Sequence, residues 1–235
     1  MLHLFPDHSV NSPLNILCLG SHSDDIEIGC GGTLMTLAST FKKAHFSWVV
    51  FSAEEGARRR EAVQSAHLFL KSAKSKSIVV HSHRTSYFPY YGKEIKDSFE
   101  TLKRSTNPDL IFTHYRHDRH QDHRIISDLT WNTWRNHLIL EYEIPKYDGD
   151  LGSPNCFVHL NAAICKLKIK YLLRCFQTQS NKHWFTSDTF LSLLRLRGVE
   201  SASHGKYAEA FYSRKVILSP GASNTKTLRR KRREA

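Results

Sequence analysis

The sequence predicts an α/β domain: a mostly parallel sheet with helices on both faces and a small antiparallel C-terminal extension. Two observations predict it. From Leu14 onward, short apolar runs alternate with stretches of helical spacing, strand then helix, four times. Such alternation packs helices on both faces of a parallel sheet. The second is size and composition. The chain has 235 residues, 40% apolar and 24% charged, with 13 Phe, 9 Tyr and 4 Trp. That suffices for one sizeable core and excludes a disordered, collagen-like or coiled-coil chain. Residues 1–13 read as an N-terminal extension, 14–218 as the single domain and 219–235 as a basic disordered tail.

The elements follow in order. NILCLG (15–20) is an apolar run ending in Gly, a buried strand. Gly29-Cys-Gly-Gly precedes a helix over 33–40, where its glycines would allow close backbone packing as the helix begins. FSWVVFS (46–52) is the second strand. Glu54–Leu70 is a helix with Ala62, Ala66, Phe69 and Leu70 on one face. SIVV (77–80) is the third strand, and the helix 90–105 stops at Asn107-Pro108. DLIFTH (109–114) is the fourth strand, and 120–136 a helix whose Trp131 and Trp134 read as core. A strand around Ile139–Ile144, a loop to Pro154 and a strand at CFVHL come next. Tyr142 and the polar string Glu141–Asp150 are candidates to face a cleft, with a solvated loop as the default. Asn161 caps a helix to about Phe176. Thr186–Leu196 is a helix, and Tyr207–Leu218 an antiparallel closing strand.

Composition narrows the function. No run approaches 18 apolar residues, so no membrane-spanning helix is expected. The N-terminus lacks a basic start followed by an apolar stretch, so no secretion signal is expected. Five cysteines without CxxC spacing point away from disulfides and towards a reducing cytoplasm. Net charge is +12, of which Lys226–Ala235 carries six basic residues and one acid. A nucleic-acid partner would rest on that tail alone, so none is expected. A homo-oligomer stays open.

In a parallel sheet, ligands bind beyond the carboxyl ends of the strands. Two turns at that edge are dense in metal-type ligands: Ser21-His-Ser-Asp-Asp-Ile-Glu27, and His114 to His123, which holds four of the 15 histidines. Zinc takes imidazole nitrogen and carboxylate oxygen, and a catalytic site keeps one position for water. His22 and Asp25, three apart on one turn, can converge on one ion. His120 and His123, three apart at a helix start, share a face, so one can bind the ion while the other points at substrate. Asp24 then sits close to the ion's water without binding the ion.

HSDDIEIGCGGTL and DRHQDHR (118–124) together resemble the two signatures of the PIG-L/LmbE-like zinc N-deacetylases. RRREAVQSA and YAEAF (207–211) resemble further segments of that family in the expected order. The resemblance implies a Rossmann-like fold, one Zn2+ per chain, and removal of acetyl from an N-acetylated amino sugar or its glycoconjugate. It implies His22, Asp25 and His123 as ligands, Asp24 as general base, His120 (protonated) at the oxyanion, Asp122 orienting His120, and Arg58 facing the sugar. Ser23 and Gln121 stand where the signatures usually carry proline.

Competing readings are weaker. Gly29-Cys-Gly-Gly does not fit GxGxxG, which argues against a dinucleotide. A two-metal phosphoesterase would need more carboxylates. The alternative from another class is a non-catalytic basic binding protein on the same fold, serving an anionic partner through its tail.

Overall fold

In the computed structural model, which describes residues 11–217, seven strands form one sheet. The strands are β1 (Leu14–His22), β2 (Ala44–Ser52), β3 (Ser75–Val80), β4 (Leu110–His114), β5 (Leu138–Tyr142), β6 (Cys156–Leu160) and β7 (Tyr207–Ser213), in the order β3-β2-β1-β4-β5-β7-β6. The first five are parallel. β7 runs antiparallel between β5 and β6. The expected N-terminal extension lies mostly, and the basic tail wholly, outside the described residues.

Position in the sheet explains each strand's composition. β1 is central, and every residue but Asn15 is buried. Ile16 and Cys18 face one core, while Leu17 and Leu19 face the other, as strand alternation requires. β3 is an edge strand, alternating between exposed and half-buried. Helices α1 (Asp25–Thr40), α2 (Ala57–Phe69) and α5 (Ala162–Cys175) cover the first face. Helices α3 (Gly92–Ser105) and α4 (Gln121–Thr133) cover the second. α3 shows why: Ile95, Phe99 and Leu102 make a buried stripe at helical spacing. α6 (Ser187–Glu200) packs beside β7.

Several expected boundaries move. β1 continues past Gly20, because His22 still pairs with Ser52. α1 begins at Asp25 rather than 33, so the Gly-rich segment lies inside the helix. The glycines permit close approach there: a Cβ on Gly29 would stand 2.2 Å from the Tyr142 ring. α6 runs on to Glu200. The closing strand ends at Ser213, short of the expected Leu218.

From β1 the chain winds outward through β2 and β3, then returns to add β4 and β5 on the other side. The direction reverses between β1 and β4. In sheets of this kind the ligand crevice lies at such a reversal, beyond the strands' carboxyl ends.

Candidate metal centre and active site

Each side of that crevice is a strand end feeding a helix start. His22 is the last residue of β1, Asp24 the N-cap of α1 and Asp25 its first residue. His114 ends β4, His120 is the N-cap of α4, and Asp122 and His123 lie in its first turn. Both helix N-termini lie at this edge of the sheet, and the positive end of a helix dipole favours negative charge nearby.

Three ligand-type atoms converge. His22 Nδ1 and His123 Nε2 are 3.1 Å apart. Asp25 Oδ2 is 3.3 Å from His22 Nδ1 and 3.5 Å from His123 Nε2. Ligands at roughly 2.0–2.1 Å around a tetrahedral ion stand at about such mutual distances. The donor set overlaps two candidate triads that share His123: His22, His120, His123 and Asp25, His114, His123.

Buried carboxylates set the tautomers. His22 Nε2–H donates to Asp122 Oδ2 (3.1 Å), and His123 Nδ1–H donates to Asp118 Oδ2 (2.9 Å). A carboxylate oxygen can only accept, so each ring turns its other nitrogen toward the shared gap. The gap between the two nitrogens suits one cation, a proton or a metal ion. Burial opposes charge on His22, but Asp25 and Asp122 outweigh it and raise its pKa to about 9. Burial and neighbouring His114 push His123 down to about 3. His123 therefore offers a bare lone pair. The pattern of hard carboxylate and imidazole donors, each ring fixed from behind, fits a zinc-type ion.

The adjacent aspartates differ. Burial would raise Asp25, but His123, His22 and His114 hold it well below the usual carboxylate range. Its Oδ2 also accepts the His22 backbone N–H at 2.6 Å. Burial and the Asp25 charge push Asp24 up. An aspartate at an N-cap ordinarily caps the helix, yet the Asp24 side chain makes no cap hydrogen bond. It is left to other uses.

His120 is half-buried, with its ring 4.6 Å from that of His123 and 4.8 Å from that of His22. Its Nδ1 accepts the Asp122 backbone N–H at 3.2 Å, so the proton sits on Nε2. Burial and His22 lower its pKa. That direction does not favour the protonated form that the resemblance implies. Nor does the Asp122 carboxylate orient His120. It holds His22 and accepts the Ser86 and Phe88 backbone N–H groups at 2.6 and 3.1 Å. Arg58 reaches the crevice from the first turn of α2, its Nη2–H donating to Ser23 Oγ at 3.1 Å.

All seven residues singled out in the sequence thus meet at one crevice. Others were missed. Asp118 holds His123, and its Oδ1 accepts the His120 N–H at 2.8 Å. Lys146 Nζ lies 3.0 Å from Asp118 Oδ2, so the polar loop after β5 braces the site from behind. Asp118 stood in the second motif, five residues before His123, and that spacing was its only signal. His114 stacks on His123 with ring centroids 3.9 Å apart. Tyr142 does not enter the cleft: it is fully buried and donates to Leu19 O at 2.6 Å. Trp134 is core, while Trp131 is half-buried and bonds Glu141.

A family model described as GlcNAc-PI de-N-acetylase, PIG-L, matches residues 17–134. The chain belongs to the PIG-L family. The matched segment spans both ligand-bearing turns, Arg58 and the whole of α4. In three dimensions this PIG-L chain is similar to N,N'-diacetylchitobiose deacetylase from Pyrococcus horikoshii, with TM-score 0.66 and 21% identity over 88% of this chain and 87% of that one. It is similar to GalB, the 4-carboxy-2-hydroxymuconate hydratase of Pseudomonas putida KT2440, at TM-score 0.69 and 15% identity over 89% and 100% of the two chains. The zinc-inhibited form of teicoplanin deacetylase Orf2 matches at TM-score 0.63 and 14% identity over 88% and 100%. At these identities the likeness is one of fold. Among the described residues of this PIG-L chain, no helix is long and apolar enough to cross a membrane.

Proposed function

We propose that this chain is a zinc-dependent N-deacetylase acting on an N-acetylated amino sugar or its glycoconjugate. One observation carries the reading. His22 Nδ1, Asp25 Oδ2 and His123 Nε2 converge within 3.1–3.5 Å, while the adjacent Asp24 stays outside the cluster with no cap to make. Those three atoms would hold the ion. When bound, zinc supplies Lewis acidity, lowering the pKa of water to about 7 and polarising a carbonyl.

The chain's own residues do the rest. Asp24, its pKa raised by burial and by Asp25, takes a proton from the attacking water. It returns that proton to the leaving amine as the amide C–N bond breaks, giving acetate and a free amino sugar. His120 Nε2–H donates to the developing oxyanion, a role worth about 3–4 kcal/mol for one well-placed donor. Arg58 meets oxygens of the sugar. The reading as a non-catalytic binding protein gives Asp24 no task, and a fold that also serves a hydratase decides neither way.

The test is a panel of N-acetylated sugars and conjugates, followed by free-amine release. Activity should vanish with chelator and return with added ion. Zinc, manganese, cobalt and nickel should be compared, since one fold neighbour is a zinc-inhibited form. A metal-loaded protein that releases no amine from any member would favour the binding-protein reading.

A further inference from the structure

Ser23 and Gln121, the two positions where the motifs depart from proline, each reach across to a neighbouring wall of the crevice. Proline would stiffen its turn by fixing φ, but offers no side-chain donor or acceptor. Ser23 is fully buried, and its Oγ accepts the Arg58 Nη2–H at 3.1 Å. Among the described residues no ion pair holds the Arg58 guanidinium, and Asp24 acts on it only at longer range. Arg58 also stands two residues after Gly56, whose φ of +96° marks a bend that a long side chain alone would not restrain.

The second link is independent. Gln121 Nε2–H donates to Ser86 O at 3.1 Å. Ser86 has φ of +69°, a left-handed conformation that a serine adopts only under restraint. Its N–H is held at 2.6 Å by Asp122 Oδ2. Neighbouring residues of α4 therefore grip both backbone polar groups of this one strained residue. Thr85 Oγ1, 2.7 Å from Ser52 Oγ, ties the same segment to the end of β2. Next to it, the Arg84 guanidinium lies 3.8 Å over the Tyr87 ring.

We propose that Ser23 and Gln121 are positioning residues: Ser23 presets the Arg58 guanidinium at the crevice, and Gln121 presets the strained segment 84–88 that walls it. Side-chain links between loops thus supply the rigidity of the two turns. The proposal rests on the deacetylase reading only in treating Arg58 as the group that meets the substrate.

The experiment uses Ser23→Ala, Ser23→Thr, Gln121→Ala, Arg58→Ala and the double variant Ser23→Ala/Arg58→Ala. Arg58 modification by phenylglyoxal, located by peptide mass, should run several times faster in Ser23→Ala. Ser23→Thr, which keeps the hydroxyl, should restore the slow rate. On whichever sugar conjugate releases amine, Ser23→Ala should raise KM about tenfold, as expected for a lost hydrogen bond to a charged group, with kcat and metal content little changed. That rise should disappear when Arg58 is already Ala. Gln121→Ala should speed tryptic cleavage after Arg84 and leave Arg58 labelling as it was. Unchanged labelling and cleavage, or a KM effect that persists without Arg58, would overturn the proposal. If no sugar yields amine, the deacetylase reading fails, while labelling and cleavage still decide these two positions.

Discussion

Asp24 and Asp25 are neighbours in sequence with opposite surroundings. Three imidazoles hold the Asp25 carboxyl well below its usual range, whereas burial and Asp25 itself push Asp24 up. The two should separate on substitution. Asp25→Ala should lose bound metal and activity together. Asp24→Asn keeps shape and polarity but cannot accept the water's proton. It should retain metal while kcat falls by about 10²–10⁴. Elemental analysis beside turnover measures both. Asp24→Asn losing the ion while Asp25→Ala keeps it would reverse the roles. Near-normal turnover in Asp24→Asn would falsify Asp24 as the base and leave the metal site standing. Both aspartates, and the histidines spaced three apart, were legible in the sequence because ligand chemistry is local. Asp118 was not read as a partner of His123, since polar residues are ordinary in a loop.

At the scale of elements, α1 carries the site and is itself pinned from the far end of the chain. Glu209 on β7 accepts the backbone N–H groups of Gly32 and Thr33 at 2.8 and 2.7 Å. Lys168 on α5 donates to Ile28 O and to Glu209 Oε1, both at 2.6 Å. Gly32 leaves room for this, since a Cβ there would stand 2.6 Å from Leu160 and 3.0 Å from Glu209. The pair is buried, with side chains 3% and 2% exposed, so removing one partner strands a charge. Lys168→Met should destabilise the fold by about 3–5 kcal/mol, read from urea denaturation. Adding Glu209→Gln should recover part of that loss. A single variant within 1 kcal/mol of the parent, roughly the effect of an exposed pair, would show that the pair contributes little.

For the whole molecule, the proposed metal binding and the stability of the fold share one proton. In protein stripped of metal, His22 has a folded-state pKa raised to about 9, against about 6.5 when unfolded. Its contribution is fully present below about 6.5 and is lost as pH rises through about 9. An ion needs His22 Nδ1 bare, so the proton must leave, and affinity should rise about tenfold per pH unit up to that value. The melting-temperature gap between metal-loaded and stripped protein should therefore widen between about pH 6.5 and about pH 9. Calorimetric scans across that window measure it. A constant or narrowing gap would show that the ion does not displace the His22 proton.

The sequence by itself determined the α/β class, the order of strands and helices, and the two turns that carry the ligand-type residues. Periodicity, strand-ending turns and clustered histidines are properties of short segments, so they survive without tertiary context. Only the tertiary structure decided which nitrogen of each imidazole faces the gap. His22 and His123 are 101 residues apart, and the step from β3 back to β4 brings them to 3.1 Å. It also decided that Asp122 serves His22, and that the glycines of α1 belong inside the helix, with Gly29 under the Tyr142 ring. The physical reason is common to these cases. Tautomers, carboxylate pairing and close backbone packing depend on partners that the sheet order places opposite one another.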